Sequence, residues 1–155
     1  MLIRALAPFL FLLPLKAFAE SPVCVTAPKV SMRAEPSSNA PVTWVVTRNM
    51  PLMRLIKKGN WTQVEDVDGE KHWLPSNAVS GRVPCAVVKA KVAKLRRAPS
   101  ATAPLAEMTI ADKYTPFRRV GGEGEFIEVV DEYDEHYWIS DKAIWYPVKK
   151  MEITF

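Results

Sequence analysis

The chain has 155 residues, of which 48% are hydrophobic and 25% are charged, and its formal net charge is +4 at pH 7. This length accommodates one ordinary domain or two small ones. Arg4 and Lys16 lie in the first 19 residues, and the rest of the chain carries 19 basic and 17 acidic side chains. Such balanced charge argues against a nucleic-acid-binding protein, which needs a concentrated basic surface.

Residues 1–19 have the pattern of a cleaved export signal. Arg4 gives a positive start, residues 5–15 form an apolar run of eleven, and Ala17-Phe-Ala19 supplies a small-x-small cleavage motif before Glu20. The apolar run is shorter than the about 20 residues that a membrane-spanning helix needs. We therefore expect a periplasmic or secreted protein with no stable membrane insertion after cleavage.

The chain has two cysteines, Cys24 and Cys85. An even number of cysteines in an exported protein favours one internal disulfide, with free thiols or pairing between chains as the alternatives. We divide the chain into a signal peptide (1–19) and two units, 20–83 and 84–155.

An internal repeat supports this division. The matching segments are residues 32–41 with 95–104, 53–56 with 117–120, 61–64 with 126–129, 72–74 with 137–139, and 77–79 with 142–144. The offset between the copies grows from 63 to 65 residues, and we place one insertion in the glycine-rich turn 121–124.

Each copy has the pattern of a β protein. Short runs rich in Val, Ile, Thr and aromatic residues alternate with turn signals about every eight to twelve residues, which is typical of a sandwich or barrel. Asp68-Gly69 indicates a tight hairpin, and Pro36, Pro41, Pro51 and Pro75 mark loops and strand edges. The predicted fold is all-β, with two tandem small barrels.

Several short motifs resemble the bacterial SH3-like family. Met32-Arg-Ala-Glu-Pro36 and Leu95-Arg-Arg-Ala-Pro99 resemble the Arg-x-x-Pro opening of that family. The segments 59–64 and 71–74 resemble its two tryptophan strands, and 77–79 resembles its closing turn. The resemblance extends over residues 25–146. It implies small exported barrels with a binding or targeting role, often toward peptidoglycan or its peptide stems.

Strand alternation predicts which side chains face outward, because residues an odd number of positions apart point to opposite faces. If Val64 and Leu74 fill the first barrel, Trp61 and Trp73 point out. In the second copy, the same argument from Val129 and Ile139 places Phe126 and Trp138 on the outer face. An outward aromatic pair indicates a ligand-binding surface. The alternative is that loops or the neighbouring barrel cover the pair.

The first copy is the better candidate for binding, because Glu107 in the second copy stands where the first has Trp44. We select Trp44, Trp61 and Trp73 as ligand-binding residues, with Arg33 and Arg54 as candidate carboxylate contacts, and Phe126 with Trp138 as the second-copy aromatic face. The expected partner is a peptidoglycan peptide or an envelope protein. The alternative is a structural adaptor whose two barrels pack together.

The sequence does not point to catalysis, a metal or a cofactor. We interpret His72 and His136 as exposed histidines at the same hairpin position of each copy, and a zinc site needs three or four convergent ligands. The carboxylates between Asp131 and Glu135 lack the spacing of a calcium loop and are expected in a solvated turn. We therefore expect no enzyme.

Overall fold

The computed structural model describes residues 20–149, which form short antiparallel strands and two 3-10 helical turns. The predicted signal peptide (1–19) lies outside the described residues. The first seven strands are β1 (Ser21–Val25), β2 (Lys29–Arg33), β3 (Val42–Thr47), β4 (Pro51–Lys58), β5 (Trp61–Glu65), β6 (Lys71–Pro75) and β7 (Val79–Ser80), with a helical turn at Ser76–Ala78. The other seven are β8 (Cys85–Val88), β9 (Val92–Arg96), β10 (Leu105–Asp112), β11 (Pro116–Glu123), β12 (Phe126–Val130), β13 (His136–Ser140) and β14 (Ile144–Trp145), with a helical turn at Asp141–Ala143.

The two groups of strands form two sheets with the same order. The first runs β3-β2-β6-β5-β4-β1-β7 and the second β10-β9-β13-β12-β11-β8-β14. Val46 from the edge strand β3 and Val23 from β1, near the opposite edge, belong to one buried cluster. Each sheet must therefore curl around its own core. The all-β, duplicated fold is confirmed.

The predicted core residues are fully buried. Val64 and Leu74 in the first barrel, and Val129 and Ile139 in the second, each have 0% exposed surface. Burying aliphatic side chains of this size stabilises a fold by roughly 1.5–3 kcal/mol each.

The strand pairing corrects two details of the sequence repeat. Arg54 lies opposite Val64 and Arg119 lies opposite Val129, so Arg54 corresponds to Arg119 and Leu52, rather than Met53, corresponds to Phe117. The match that aligned residue 53 with 117 was one position off, because both segments read as a large apolar residue followed by arginine.

The insertion in the second copy lies in β10 and not in the glycine-rich turn. Leu105 lies opposite Arg96 as Val42 lies opposite Arg33, whereas Ile110 lies opposite Lys94 as Val45 lies opposite Ser31. The pairing of β10 is irregular between residues 105 and 110, and this irregularity contains the two extra residues. Because Trp44 lies in the part of β3 that corresponds to this irregularity, Glu107 is not its one-to-one counterpart.

One disulfide joins the two barrels. Cys24 in β1 bonds to Cys85, the first residue of β8, with an S–S distance of 2.05 Å, as predicted. The bridge therefore connects the first strand of one barrel to the first strand of the other, rather than to a linker between them.

The barrels also contact each other through side chains. Val87, Tyr114 and Trp145 of the second barrel pack against the core cluster of the first. The ring of Tyr114 meets Trp44 edge-on, with 5.1 Å between ring centroids. The Lys113 ammonium also lies 3.5 Å from Asp68 in the β5–β6 turn.

Candidate binding face of the first barrel

The hairpin of β5 and β6 determines the direction of Trp61 and Trp73. Thr62, Val64 and Leu74 are fully buried, and the residues between them along each strand are partly exposed. Trp61 lies opposite Pro75 and Trp73 lies opposite Gln63. Since residues that lie opposite each other share a face, the two tryptophans are diagonal neighbours on the outer face. Both are half-buried, so each ring keeps part of its surface open to solvent.

The turn of this hairpin is fixed by one carboxylate. Asp66 Oδ1 accepts the backbone N–H groups of Asp68 and Glu70, each at 2.9 Å. Gly69 has a φ of 83°, a left-handed conformation that favours glycine. The Asp68-Gly69 hairpin predicted from the sequence is therefore present, and it fixes the register that places the tryptophans.

Arg33 lies beside Trp73 on the same face. It is the residue of β2 that lies opposite Trp73 in β6. Its Nη1 donates a hydrogen bond to the carbonyl oxygen of Ala40 at 2.7 Å, and Arg96 makes the same bond to Ala103 at 2.8 Å. The arginine of each Arg-x-x-Pro segment therefore holds the following loop closed.

Strand β4 adds an apolar and a cationic side chain to this surface. Ile56 lies opposite Gln63 and is 46% exposed, and Lys58 lies opposite Trp61. We define the tryptophan face as six residues: Arg33, Ile56, Lys58, Trp61, Gln63 and Trp73. It combines two aromatic rings with two cations. The nearest acidic side chain along β5 is Glu65, which lies opposite Lys71.

Trp44 and Arg54 do not belong to this face. Trp44 lies opposite the fully buried Met32 and is in contact with Tyr114 of the second barrel. Arg54 lies opposite Val64, and its Nε donates to Ser21 Oγ at 3.0 Å. The structure thus brings together Arg33, Trp61 and Trp73 from the predicted set and places the other two elsewhere.

The corresponding face of the second barrel carries acidic side chains. Phe126 and Trp138 occupy the aromatic positions, but Glu123 and Glu128 replace Lys58 and Gln63. Glu128 Oε1 lies 2.8 Å from His136 Nδ1. A cavity of about 270 Å³ borders Phe126, and Lys94, Arg96 and Glu125 also line it. The second face therefore keeps the aromatic pair but differs in charge, and it has Gly121 in place of Ile56.

The expectation that His72 and His136 occupy the same hairpin position is wrong. His72 lies opposite Val64 and corresponds to Tyr137, which lies opposite Val129. His136 lies opposite Val130 and corresponds to Lys71. The two histidines therefore occupy adjacent strand positions on opposite faces.

His72 is also buried, at 7% exposure, where the sequence suggested an exposed histidine. Its Nε2 lies 2.9 Å from Asp66 Oδ2 and its Nδ1 lies 2.7 Å from Thr43 Oγ1. A buried polar side chain needs such partners, because an unpaired one loses its hydration without compensation.

The second barrel replaces this histidine with a tyrosine. The hydroxyl of Tyr137 donates to Asp131 Oδ2 at 3.1 Å, and Asp131 Oδ1 accepts two turn N–H groups as Asp66 does. Burial, followed by the bond to Asp131, raises the pKa of Tyr137 to about 12. The sequence repeat could have identified this position, because both residues directly precede a tryptophan.

Within residues 20–149, no three His, Cys, Asp or Glu side chains lie close enough together to hold a metal ion. Neither helical turn in this part of the chain has the length or the apolar content to cross a bilayer.

The fold and the repeated hairpin define a class of protein, a tandem of two small SH3-like barrels linked by a disulfide. Residues 26–81 match the family model described as bacterial SH3 domain. The first barrel is therefore a bacterial SH3 domain, and the second repeats its strand order.

Two solved structures show weak similarity. The chain is 13% identical to NlpC1 from Trichomonas vaginalis, with a TM-score of 0.36, covering 88% of this chain and 51% of that one. It is 12% identical to NlpC2 from the same organism, with a TM-score of 0.37, covering 86% of this chain and 51% of that one. This chain thus spans about half the length of each. No curated protein matches it.

Proposed function

We propose that the protein is a non-catalytic binding module of the cell envelope whose tryptophan face binds the peptide part of peptidoglycan. The observation that carries the proposal is the pairing of Trp61 and Trp73 on one outer face beside Arg33 and Lys58. Bacterial SH3 domains, the family of the first barrel, often have such a role.

The chemistry of the tryptophan face suits an extended peptide that carries carboxylates. Aromatic side chains bind apolar segments of a ligand through a large rigid surface. Arginine and lysine bind carboxylates through charge-assisted hydrogen bonds. In the second barrel, Glu123 and Glu128 would repel the same ligand, which favours the first barrel as the binder.

The disulfide supports a location outside the cytoplasm. Structural disulfides form and persist in oxidising compartments, and Cys24 and Cys85 are both buried. We infer a periplasmic or secreted protein, in agreement with the export pattern of residues 1–19.

Sedimentation with purified sacculi tests the proposal. The wild-type protein should pellet with the sacculi, and a Trp61→Ala, Trp73→Ala double variant should remain in the supernatant. The matched control is Phe126→Ala, Trp138→Ala, which removes the equivalent pair from the second barrel and should still pellet. If the wild type stays in solution, or if both double variants lose binding equally, the tryptophan face is not the peptide site.

A second candidate function is a structural adaptor, and the position of Trp44 favours it. Tyr114 lies against this tryptophan and bonds to Asp68, so part of the aromatic surface already serves the contact between the barrels. An adaptor would bind an envelope protein rather than peptidoglycan. Purified sacculi lack such proteins, so the sedimentation experiment separates the two functions.

A further inference from the structure

A second cavity lies where the two barrels meet. Its volume is about 390 Å³, within the range of small-molecule sites, and the disulfide residues form part of its wall. We call it the junction cleft and define it by Pro22, Cys24, Arg82, Cys85, Arg119 and Lys149.

The charge of the junction cleft has one sign. Three cationic side chains line it, from Arg82, Arg119 and Lys149, and none of the lining residues is Asp or Glu. The other lining side chains include three prolines and three valines. A cavity with positive charge and apolar walls attracts an anion that has an apolar part.

Arg119 has an unsatisfied donor. Its Nε is buried and has no hydrogen-bond acceptor among residues 20–149. The equivalent Arg54 of the first barrel donates its Nε–H to Ser21 Oγ at 3.0 Å. The residue that corresponds to Ser21 is Pro84, whose carbonyl accepts the backbone N–H of Arg119 but whose side chain has no oxygen.

The guanidinium of Arg119 is also held in place. It stacks on the ring of Tyr146, with 4.3 Å between Cζ and the ring centroid. Stacking on Tyr146 occupies a flat face of the guanidinium and not its edge, where the Nε–H and one Nη–H are parallel donors suited to two oxygens of one oxyanion. A buried donor without an acceptor is costly, so an acceptor that a ligand supplies is favoured.

We propose that the junction cleft binds an oxyanion group, a carboxylate or a phosphate, carried by a small ligand whose apolar part lies against the prolines and valines. Arg119 binds the oxyanion through its edge, and Arg82 and Lys149 add positive charge. This site lies apart from the tryptophan face, and its test does not depend on binding to sacculi.

NMR titration of the 15N-labelled protein at constant ionic strength tests the proposal. The probes are inorganic phosphate, phenyl phosphate and N-acetylalanine, with the neutral N-acetylalanine amide as the control. The anions should shift the Arg119 Nε–H signal saturably and the amide should not. The anion that binds more tightly identifies the class of oxyanion. If no anion shifts this signal saturably, the proposal is wrong.

Variants at equivalent positions of the two barrels sharpen the test, with the backbone amides of Arg82 and Cys85 as reporters. Arg119→Lys keeps the charge and removes the Nε–H edge, and should weaken binding about tenfold. Arg54→Lys makes the same change where Ser21 already accepts the bond, and should leave affinity within about twofold of wild type.

Pro84→Ser restores an internal acceptor for Arg119 and should weaken binding without removing any charge. Equal losses in the two lysine variants, or unchanged affinity in both Arg119→Lys and Pro84→Ser, would show that the guanidinium edge is not the binding group.

Discussion

Tyr114 of the second barrel donates a hydrogen bond from its hydroxyl to Asp68 Oδ2 of the first barrel, across 2.6 Å. Its backbone φ is 71°, and Asn49 at the equivalent turn of the first barrel has a φ of 67°. Asparagine tolerates this left-handed conformation better than tyrosine does. The local backbone therefore does not explain the tyrosine, and its contacts with Trp44 and Asp68 do.

The first prediction exchanges this residue for its counterpart. Tyr114→Asn relieves backbone strain but removes the ring and the hydroxyl, and should lower the free energy of unfolding by about 2 kcal/mol. Tyr114→Phe keeps the ring and should cost less than about 1 kcal/mol, because Asp68 is partly exposed. Urea titrations measure both values. An asparagine variant as stable as wild type would mean that this contact does not stabilise the pair of barrels.

The second prediction concerns the disulfide. Cys24 and Cys85 are 61 residues apart, and opening a loop of this length restores denatured-state entropy worth roughly 4 kcal/mol. The double variant Cys24→Ala, Cys85→Ala should lose about this much stability in urea titrations. Its stability should not respond to dithiothreitol, whereas that of the wild type should fall toward the value of the variant. A wild type insensitive to a reductant that demonstrably opens the bridge would contradict the prediction.

The core could be predicted from the sequence because it depends on alternation. Val64, Leu74 and Ile139 each follow or precede a partly exposed residue in a strand, and a period of two determines the face of each. The second copy shows the same alternation and so gave a second, separate indication of which residues face inward. Trp61 and Trp73 were placed correctly on the outer face for this reason.

The remaining site features depend on contacts between segments that are distant in sequence. The position of Trp44 follows from Tyr114, and the partners that satisfy the buried ring of His72 are Asp66 and Thr43. The local pattern around these residues contains no information about such partners. The extra residues of β10 were misplaced because glycine-rich turns usually accommodate insertions, whereas this strand accommodates them as an irregularity in its pairing.

The third prediction follows from the pKa of Tyr137, which burial raises from 10.0 to about 12. The folded state disfavours the phenolate form of Tyr137. The free energy of unfolding therefore has its full value below about pH 10 and falls as the pH rises toward 12. The loss over this interval should be about 2 kcal/mol. Urea titrations at pH 9 and at about pH 11.5 measure it.

Tyr137→Phe is the control for this titration. It loses the bond to Asp131 and should be less stable at pH 9, but its stability should fall less between the two pH values than that of wild type. The absorbance change of the phenolate near 295 nm gives an independent measure. Equal pH dependence of the two proteins would show that Tyr137 titrates as an ordinary exposed tyrosine.

The fourth prediction uses the equivalence of His72 and Tyr137. His72→Ala leaves Asp66 Oδ2 and Thr43 Oγ1 without their partner and opens a cavity, and should cost about 3 kcal/mol of unfolding free energy. His72→Tyr imitates the second barrel, where a tyrosine hydroxyl binds the equivalent aspartate, and should cost less than the alanine variant. We expect the urea midpoint to decrease from wild type to His72→Tyr to His72→Ala. An alanine variant more stable than the tyrosine variant would contradict the prediction.

The fifth prediction tests whether charge explains the preference for the first barrel. Lys58→Glu with Gln63→Glu gives the tryptophan face the acidic side chains that the second barrel carries at the same positions. Neither residue is buried, so the fold should remain intact and the midpoint temperature of thermal unfolding should change little. Binding to sacculi should be lost, because two carboxylates beside Trp61 and Trp73 repel carboxylates of the peptide.

Lys58→Gln alone should weaken binding less and reduce its dependence on salt, since it removes one attraction and introduces no repulsion. If the doubly acidic variant binds sacculi as wild type does, the aromatic rings rather than the charges select the ligand.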